Sequence, residues 1–298
     1  MKYIVGIPYR NRIDLLQDAI DSIKCYWDNL VLIDNSGCQE LSTQGFGKDF
    51  LIIEPIVPLT FTQSQNAFIR IANERACDFY MYMHNDAVAE NGTPEKMLDF
   101  IQQLFDTERF WGAVFTNAVD GFQPDLLAAY NMEAVHNVGL YDTVFPDYFT
   151  DCDYYRRMII KGYELINSGL KLIHQNGGSN TINSDYMLKS INNRKHVLYR
   201  QYYIAKWGGE PGREFFTVPF NAQDEIMALL TFMQQEYGPT ATLEQVIKSH
   251  PSSYHEAQQA IRKYSTVLPW PLGQKKLLDN GAKPKEEENR QTSPKSSS

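Results

Sequence analysis

Residues 79–90 read FYMYMHNDAVAE, a short apolar and aromatic run that stops abruptly at His84, Asn85 and Asp86. Such a run is a buried strand, and the polar residues at its end stand on the rim of a sheet, where α/β proteins keep their chemistry. Residues two apart in an extended segment share a face, so this stretch predicts that His84 and Asp86 point at one cation or one diphosphate. A strand followed by an Asn-Asp turn explains the same letters.

The chain leading to this stretch alternates strands and helices. Residues 2–7 read as a β-branched strand that stops at Pro8, and Tyr9, Arg10, Asn11 and Arg12 form a polar loop. Ile13, Leu16, Ile20 and Ile23 recur at helical spacing as far as Tyr26. A second strand, residues 30–33, runs into Asp34, Asn35, Ser36 and Gly37, completing a β-α-β unit of the kind found in parallel nucleotide-binding sheets. A third strand is expected over 51–53 and a helix over 64–76. Beyond the opening stretch, a helix over 94–105 and a strand over 111–115 continue the alternation.

The second half is read the same way. A short helix is expected over 132–137, closed by Gly139. Thr150 followed by Asp153 has capping-box spacing, which predicts a helix from Asp151 to just before Gly162. Residues 169–174 form a last strand ending at His174, before Gly177, Gly178 and Ser179. One or two helices follow over 185–207. Glycines and prolines crowd residues 208–219, which sets a domain boundary there. The expected organisation is an α/β domain over 1–210, a small helical module over 211–278 and a disordered tail over 279–298, where apolar residues almost vanish.

Composition removes several classes of function. No apolar run approaches the roughly 20 residues of a membrane helix, and residues 3–7 are too short for a signal peptide's apolar segment, so the expected location is cytoplasmic. Cys25, Cys38, Cys77 and Cys152 are widely spaced with no CxxC pair, which suggests neither a zinc knuckle nor a disulfide framework. A net charge of -8 argues against general affinity for long polyanions, so nucleic acid is not indicated as a partner, although a local basic groove would not show in a sum. The 18 tyrosines and 16 phenylalanines supply rings of the kind that line sugar and base sites. There is no GxGxxG after the first strand and no GxxxxGK[ST], so any nucleotide is held in another way.

The order of these segments resembles the inverting, family-2-type glycosyltransferases of the GT-A fold. IVGIPYRNR looks like that family's first strand and nucleotide loop, and VLIDNSG like its second strand. QNAFIRIANERACDFYMYMHNDA is similar to the helix and strand that lead into its DxD-type motif. VGLYDTVFPDYFTDCDYYRRMIIKGYEL is close to the segment with its catalytic acidic pair, and LIHQNGGS to the strand with its metal-binding His. The resemblance spans residues 2–174 and implies a Rossmann-like, mostly parallel mixed sheet flanked by helices. Two departures stand out. The DxD-like position reads His84-Asn85-Asp86, with histidine in place of the first acid, and the acidic pair reads Thr150-Asp151, keeping the second carboxylate.

The resemblance implies a metal-dependent transfer of a sugar, hexose or pentose, from a nucleoside diphosphate donor, UDP by analogy, to a hydroxyl acceptor that the sequence does not identify. Asp86 and His174 would hold Mn2+ or Mg2+, the mixed oxygen and imidazole set suiting manganese better than calcium. His84 has three roles open to it: metal ligand, ribose or diphosphate partner, or structural residue. Asp151 is the expected general base, with a carboxyl lowered by the helix terminus, and Asp153 the cap through Thr150. Pro8, Tyr9, Arg12, Asp34, Asn66, Asn85 and Asp86 are the expected nucleotide-sugar contacts, with the Tyr9 ring available for stacking on a base. For Asp34 a plain strand-to-turn role fits equally, and for Asn66 an exposed helix position.

Residues 199–220 read either as an acceptor-side lid or as glue between the two domains. The rival function is a degenerate module that binds nucleotide sugars without catalysis. A nucleotidyltransferase would want a glycine-rich first loop that IPYRNR lacks.

Overall fold

The computed structural model describes residues 1–119 and 125–221, with backbone alone at 187 and 190–195. Most of the expected helical module over 211–278 and all of the tail over 279–298 lie outside the described residues. In chain order the elements are β1 (Tyr3–Tyr9), α1 (Ile13–Asp21), β2 (Leu30–Asp34), the short α2 (Glu40–Thr43), β3 (Leu51–Ile53), α3 (Phe61–Glu74), β4 (Phe79–Met83) and β5 (Ala87–Ala89). They continue with α4 (Thr93–Asp106), β6 (Trp111–Ala118), β7 (Leu127–Asn131), α5 (Met132–Val138), α6 (Thr150–Ile160), β8 (Glu164–His174), the single-turn α7 (Asn180–Asn183) and α8 (Tyr186–Trp207).

The strands form one sheet in the order β3-β2-β1-β4-β7-β6-β8-β5. β1 to β4 run parallel, β7 runs against both β4 and β6, β8 lies parallel to β6, and β5 pairs antiparallel with β8. This mostly parallel mixed sheet with helices on both faces is the architecture that the GT-A resemblance implies. Strand alternation divides the core in two. Val5, Ile7, Leu30, Leu32, Phe79, Met81 and Met83 face α1 and α4. Ile4, Val31, Ile33, Tyr80 and Tyr82 face α3, α5 and α6. Gly6 belongs to the second face, and a Cβ there would sit 2.6 Å from the Phe68 ring, so this close crossing of α3 over β1 requires glycine.

One connection bends the whole sheet. β4 lies in mid-sheet and β5 at the far edge, four strand steps away, which in a flat sheet is about 19 Å. Only His84, Asn85 and Asp86 join them, a link of at most about 14 Å from Met83 to Ala87. The half formed by β7, β6, β8 and β5 must therefore curl back over the end of β4. Register shifts between Trp111 and Ala113 and between Phe115 and Asn117, where β6 meets β8, supply local bending.

Several boundaries differ from those read in the sequence. β1 does not stop at Pro8 but continues to Tyr9, because its ladder with β4 ends at Gly6 and leaves no β4 partner for the N–H that proline lacks. α3 begins three residues before Ser64, at Phe61, with Thr60 and Gln63 in a reciprocal capping box. β5 and β7 were not visible in the sequence pattern, and residues 185–207 resolve into one helix, α8. The Thr150–Asp153 capping box does not form. The residue before α6, Phe149, is left-handed with no side-chain cap, and Thr150 is buried with its hydroxyl 2.9 Å from that of Thr62.

Asp153 is instead the buried anchor of α8. Lys206 Nζ lies 2.7 Å from both Asp153 Oδ1 and Asp142 Oδ2, Trp207 Nε1 donates to Asp153 Oδ1 at 2.9 Å, and Arg157 Nε to Oδ2 at 3.0 Å. Residues 208–221 fold back over this anchor. Phe215 and Phe216 donate their N–H groups to the Trp207 carbonyl, and Arg156 donates to the carbonyls of Glu214 and Phe216. The aromatic segment is thus packed on α6. The four cysteines are all free. Among the described residues no helix is long and apolar enough to cross a membrane.

Candidate metal and donor site

Because β1, β2, β4, β6 and β8 point the same way, their carboxyl ends share one rim. His84 follows β4 and His174 closes β8 on that rim. The residues between β4 and β5 are not extended. Ala87 donates to the His84 carbonyl at 3.3 Å, closing a tight turn, so His84 and Asp86 converge through the turn and not through strand alternation. Ala87 stands opposite His174 in the β5–β8 ladder, and Gln175 N–H donates to the Asp86 carbonyl at 2.9 Å. This register brings together two residues 88 positions apart in sequence.

The result is a cluster of three ligand-type side chains, His84, Asp86 and His174, whose ligand atoms all lie within 4.8 Å of one another. Asp86 Oδ1 is 3.2 Å from His174 Nε2 and 3.8 Å from His84 Nδ1. An ion with ligands at about 2.1 Å holds adjacent ones about 3 Å apart and opposite ones about 4 Å apart, so the spacing fits a single divalent cation with small adjustments. Asp86 and His174 are buried, whereas 33% of the His84 side chain faces solvent. The open side therefore lies at His84. Of the roles left open for His84, the geometry makes metal ligation available.

The surrounding residues fix this cluster. Asn180 donates from Nδ2 to Asp86 Oδ2 at 2.9 Å, and its own Oδ1 accepts from Asn176. Gly178, at φ +81°, lies against the His174 ring, where a Cβ would come within 2.2 Å. Burial works to raise the Asp86 carboxyl, but the hydrogen bonds from His174 and Asn180 and the nearby His84 outweigh it and hold it below the usual carboxylate range. Burial pulls the His84 imidazole down to about 4, with Asp86 opposing and His174 adding to the shift. Both groups thus stand at neutral pH in the forms that ligate metal, carboxylate and neutral imidazole.

The remaining predicted contacts divide. Arg12 stands at the same rim: its guanidinium pairs with Asp14 at 2.7 Å and also feels the Asp86 charge. Asn85 is half-buried and donates to the Asn11 carbonyl at 3.3 Å. Pro8 is the penultimate residue of β1, opposite Ile33 of β2. Asp34 is almost fully buried, and its two oxygens accept the N–H groups of Ser36 and Leu41 at 2.8 and 2.9 Å, which organises the turn into α2. Tyr9 offers no stacking face, because β1 runs on past Pro8 and carries the ring into the core, where its hydroxyl donates to Glu40 Oε2 at 2.7 Å. Asn66 is not on the surface of α3: its amide clasps the Tyr141 backbone from both sides, at 3.1 and 2.8 Å.

Asp151 occupies the first turn of α6, half-buried. Its carboxyl is not lowered as its place at a helix terminus predicts. Burial raises it, and hydrogen bonds from the N–H groups of Cys152 and Asp151 itself oppose the shift without cancelling it. Sequence reasoning missed a second carboxyl here. Asp125, two residues before β7, is pushed up to about 7 by burial and by the charge of Asp151, although Tyr155 donates to its Oδ1 at 2.6 Å. Asn180 and Gly178 were missed too, although Gly178 stands within the LIHQNGGS segment and Asn180 follows it directly.

No protein-family model matches the chain, and no curated protein matches it in sequence. Among solved structures it is similar to S. aureus TarS 1-349, with a TM-score of 0.48 at 12% identity over 91% of this chain and 93% of that one. It is also similar to glucosyl-3-phosphoglycerate synthase from Mycobacterium tuberculosis in complex with Mg2+ and UDP, with a TM-score of 0.48 at 13% identity over 66% of this chain and 78% of that one. The same synthase in complex with Mn2+ and UDP-glucose gives 0.45 at 14% identity, again over 66% and 78%.

Proposed function

We propose that the chain is a metal-dependent inverting glycosyltransferase that moves a sugar from a nucleoside diphosphate donor, a UDP-sugar by family resemblance, to an acceptor hydroxyl. The observation that carries this reading is the meeting of His84, Asp86 and His174 on the carboxyl rim of a GT-A-type sheet. Mn2+ or Mg2+ held by these three would offset the negative charge that the leaving diphosphate gathers. Arg12 and Asn85 stand beside the cluster to position the donor, and Pro8 and Asp34 shape the floor of the nucleotide end.

Asp151 is the general base in this reading. As the acceptor oxygen forms its bond to the anomeric carbon, the bond from that carbon to the diphosphate oxygen breaks from the opposite side. The electron pair leaves with the diphosphate, and the acceptor's proton passes to Asp151. A carboxyl raised above its ordinary value is a stronger base than a plain helix-terminus aspartate, provided that it is ionised at the working pH.

The test is incubation with a panel of nucleotide sugars and Mn2+, following nucleotide release, with Asp151→Asn alongside. Turnover is expected with one donor class, and Asp151→Asn should lose it by orders of magnitude while still binding that donor. Binding without turnover in the unaltered protein would point to the degenerate module, and no binding of any donor would end the proposal.

A further inference from the structure

We infer that Asp125 orients the acceptor by taking a hydrogen bond from a hydroxyl next to the one that Asp151 deprotonates, so that the acceptor class is a sugar or polyol carrying a vicinal diol. This inference rests on the transferase reading above and deepens it.

The placement of Asp125 is set by the sheet. Leu126 follows it directly and accepts the His84 N–H at 3.0 Å, and Leu127 pairs with Met83 at the end of β4. Asp125 therefore sits on the rim beside the three-residue cluster, on the side toward α6. Its grip comes from α6 itself. Tyr155 lies four residues after Asp151, so the two side chains share one face of the helix, stacked a turn apart. Tyr155 donates its hydroxyl to Asp125 Oδ1, and that hydroxyl is 3.0 Å from the Tyr130 hydroxyl. A chain of hydroxyls anchored in the core thus holds Asp125 beside Asp151.

Two further features single out Asp125. Its backbone is left-handed at φ +79°, a conformation uncommon for residues other than glycine. Tyr155 occupies Oδ1, whereas among the described residues nothing is recorded on Oδ2. Asp125 and Asp151 are both half-buried, so each keeps part of its surface open. A single carboxylate can take a proton but cannot fix the rotation of a polyhydroxylated acceptor about the attacking oxygen. A second carboxylate at a neighbouring hydroxyl fixes that rotation and sets which hydroxyl reacts.

The experiment measures nucleotide release from the accepted donor with glycerol or propan-1-ol at equal concentration, each corrected for release in water alone. The unaltered protein should favour glycerol by roughly tenfold or more, because a site built to bond a second hydroxyl rejects an acceptor that lacks it. In Asp125→Ala the preference should fall toward unity. Tyr155→Phe removes only the grip on Oδ1 and should give an intermediate value. The ratio is taken within each variant, so a general loss of activity does not imitate the effect. An unchanged preference in both variants, or no preference in the unaltered protein, overturns this inference alone. Absence of release from any donor overturns it together with the transferase reading.

Discussion

Gly178 lies flat against the imidazole of His174, with room for a hydrogen and none for a methyl group: a Cβ would stand 2.2 Å from the ring. The same residue has φ +81°, which glycine alone adopts without strain. Gly178→Ala should therefore push the His174 ring out of the cluster and weaken Mn2+ binding by about tenfold or more, comparably to loss of an outer partner of a ligand. Calorimetric titration with Mn2+ checks this, with Asp86→Ala as the variant that should lose binding outright.

The Asp125 and Asp151 pair predicts a pH dependence. Both carboxyls are raised, Asp125 to about 7, so the folded protein keeps protons that the unfolded chain releases near pH 4. Stability from this pair is therefore present at low pH and lost as pH rises toward about 7. Asp125→Asn should flatten that part of the stability profile, with a higher urea midpoint than the unaltered protein at pH 8 and little difference at pH 4.

Lys206 is buried between two aspartates, and its ammonium is the only cation within reach of Asp142 among the described ion pairs. Lys206→Met keeps the aliphatic stem but, among the described ion pairs, leaves Asp142 with no cation and the fully buried Asp153 with Arg157 alone. Loss of about 1–3 kcal/mol of stability is expected, measured by urea denaturation. Asp153→Asn and Lys206→Met together should cost less than the sum of the two single changes.

At the crossing of α3 over β1, Gly6→Ala would place a methyl 2.6 Å from the Phe68 ring. Overpacking of this kind costs typically about 1–3 kcal/mol. Phe68→Leu in the same background should recover part of that loss, a comparison made by thermal unfolding of the single and double variants.

What was legible in the sequence was whatever local pattern decides. The strand over 79–83, its polar end and the histidine before the GGS run all stood where they were read, because short apolar runs and glycine-marked turns are local signals. His84 and Asp86 were rightly expected to converge, but for a reason that did not hold, since a turn and the β5–β8 register bring them together. Tertiary partners overruled other local readings. Asp153 had the spacing of a cap but was taken up by Lys206 and Trp207, more than 50 residues on. Tyr9 continued the inward alternation of Val5 and Ile7, a pattern that Pro8 concealed. Asp125 had no signal at all: the LLAAYN run after it lacks the β-branched residues that mark a strand, and its partner Tyr155 lies 30 residues away.

The three-residue link between β4 and β5 also bears on the order of folding. His84 and Asp86 are fixed early in the chain, but their third partner arrives only when β8 is laid beside β6 and β5 closes the far edge. A contact across 88 residues carries a large loop-closure cost, so it belongs among the last to form. Capture of Mn2+ during refolding should then lag behind the return of helical signal, which makes the metal a reporter of the finished, curled sheet.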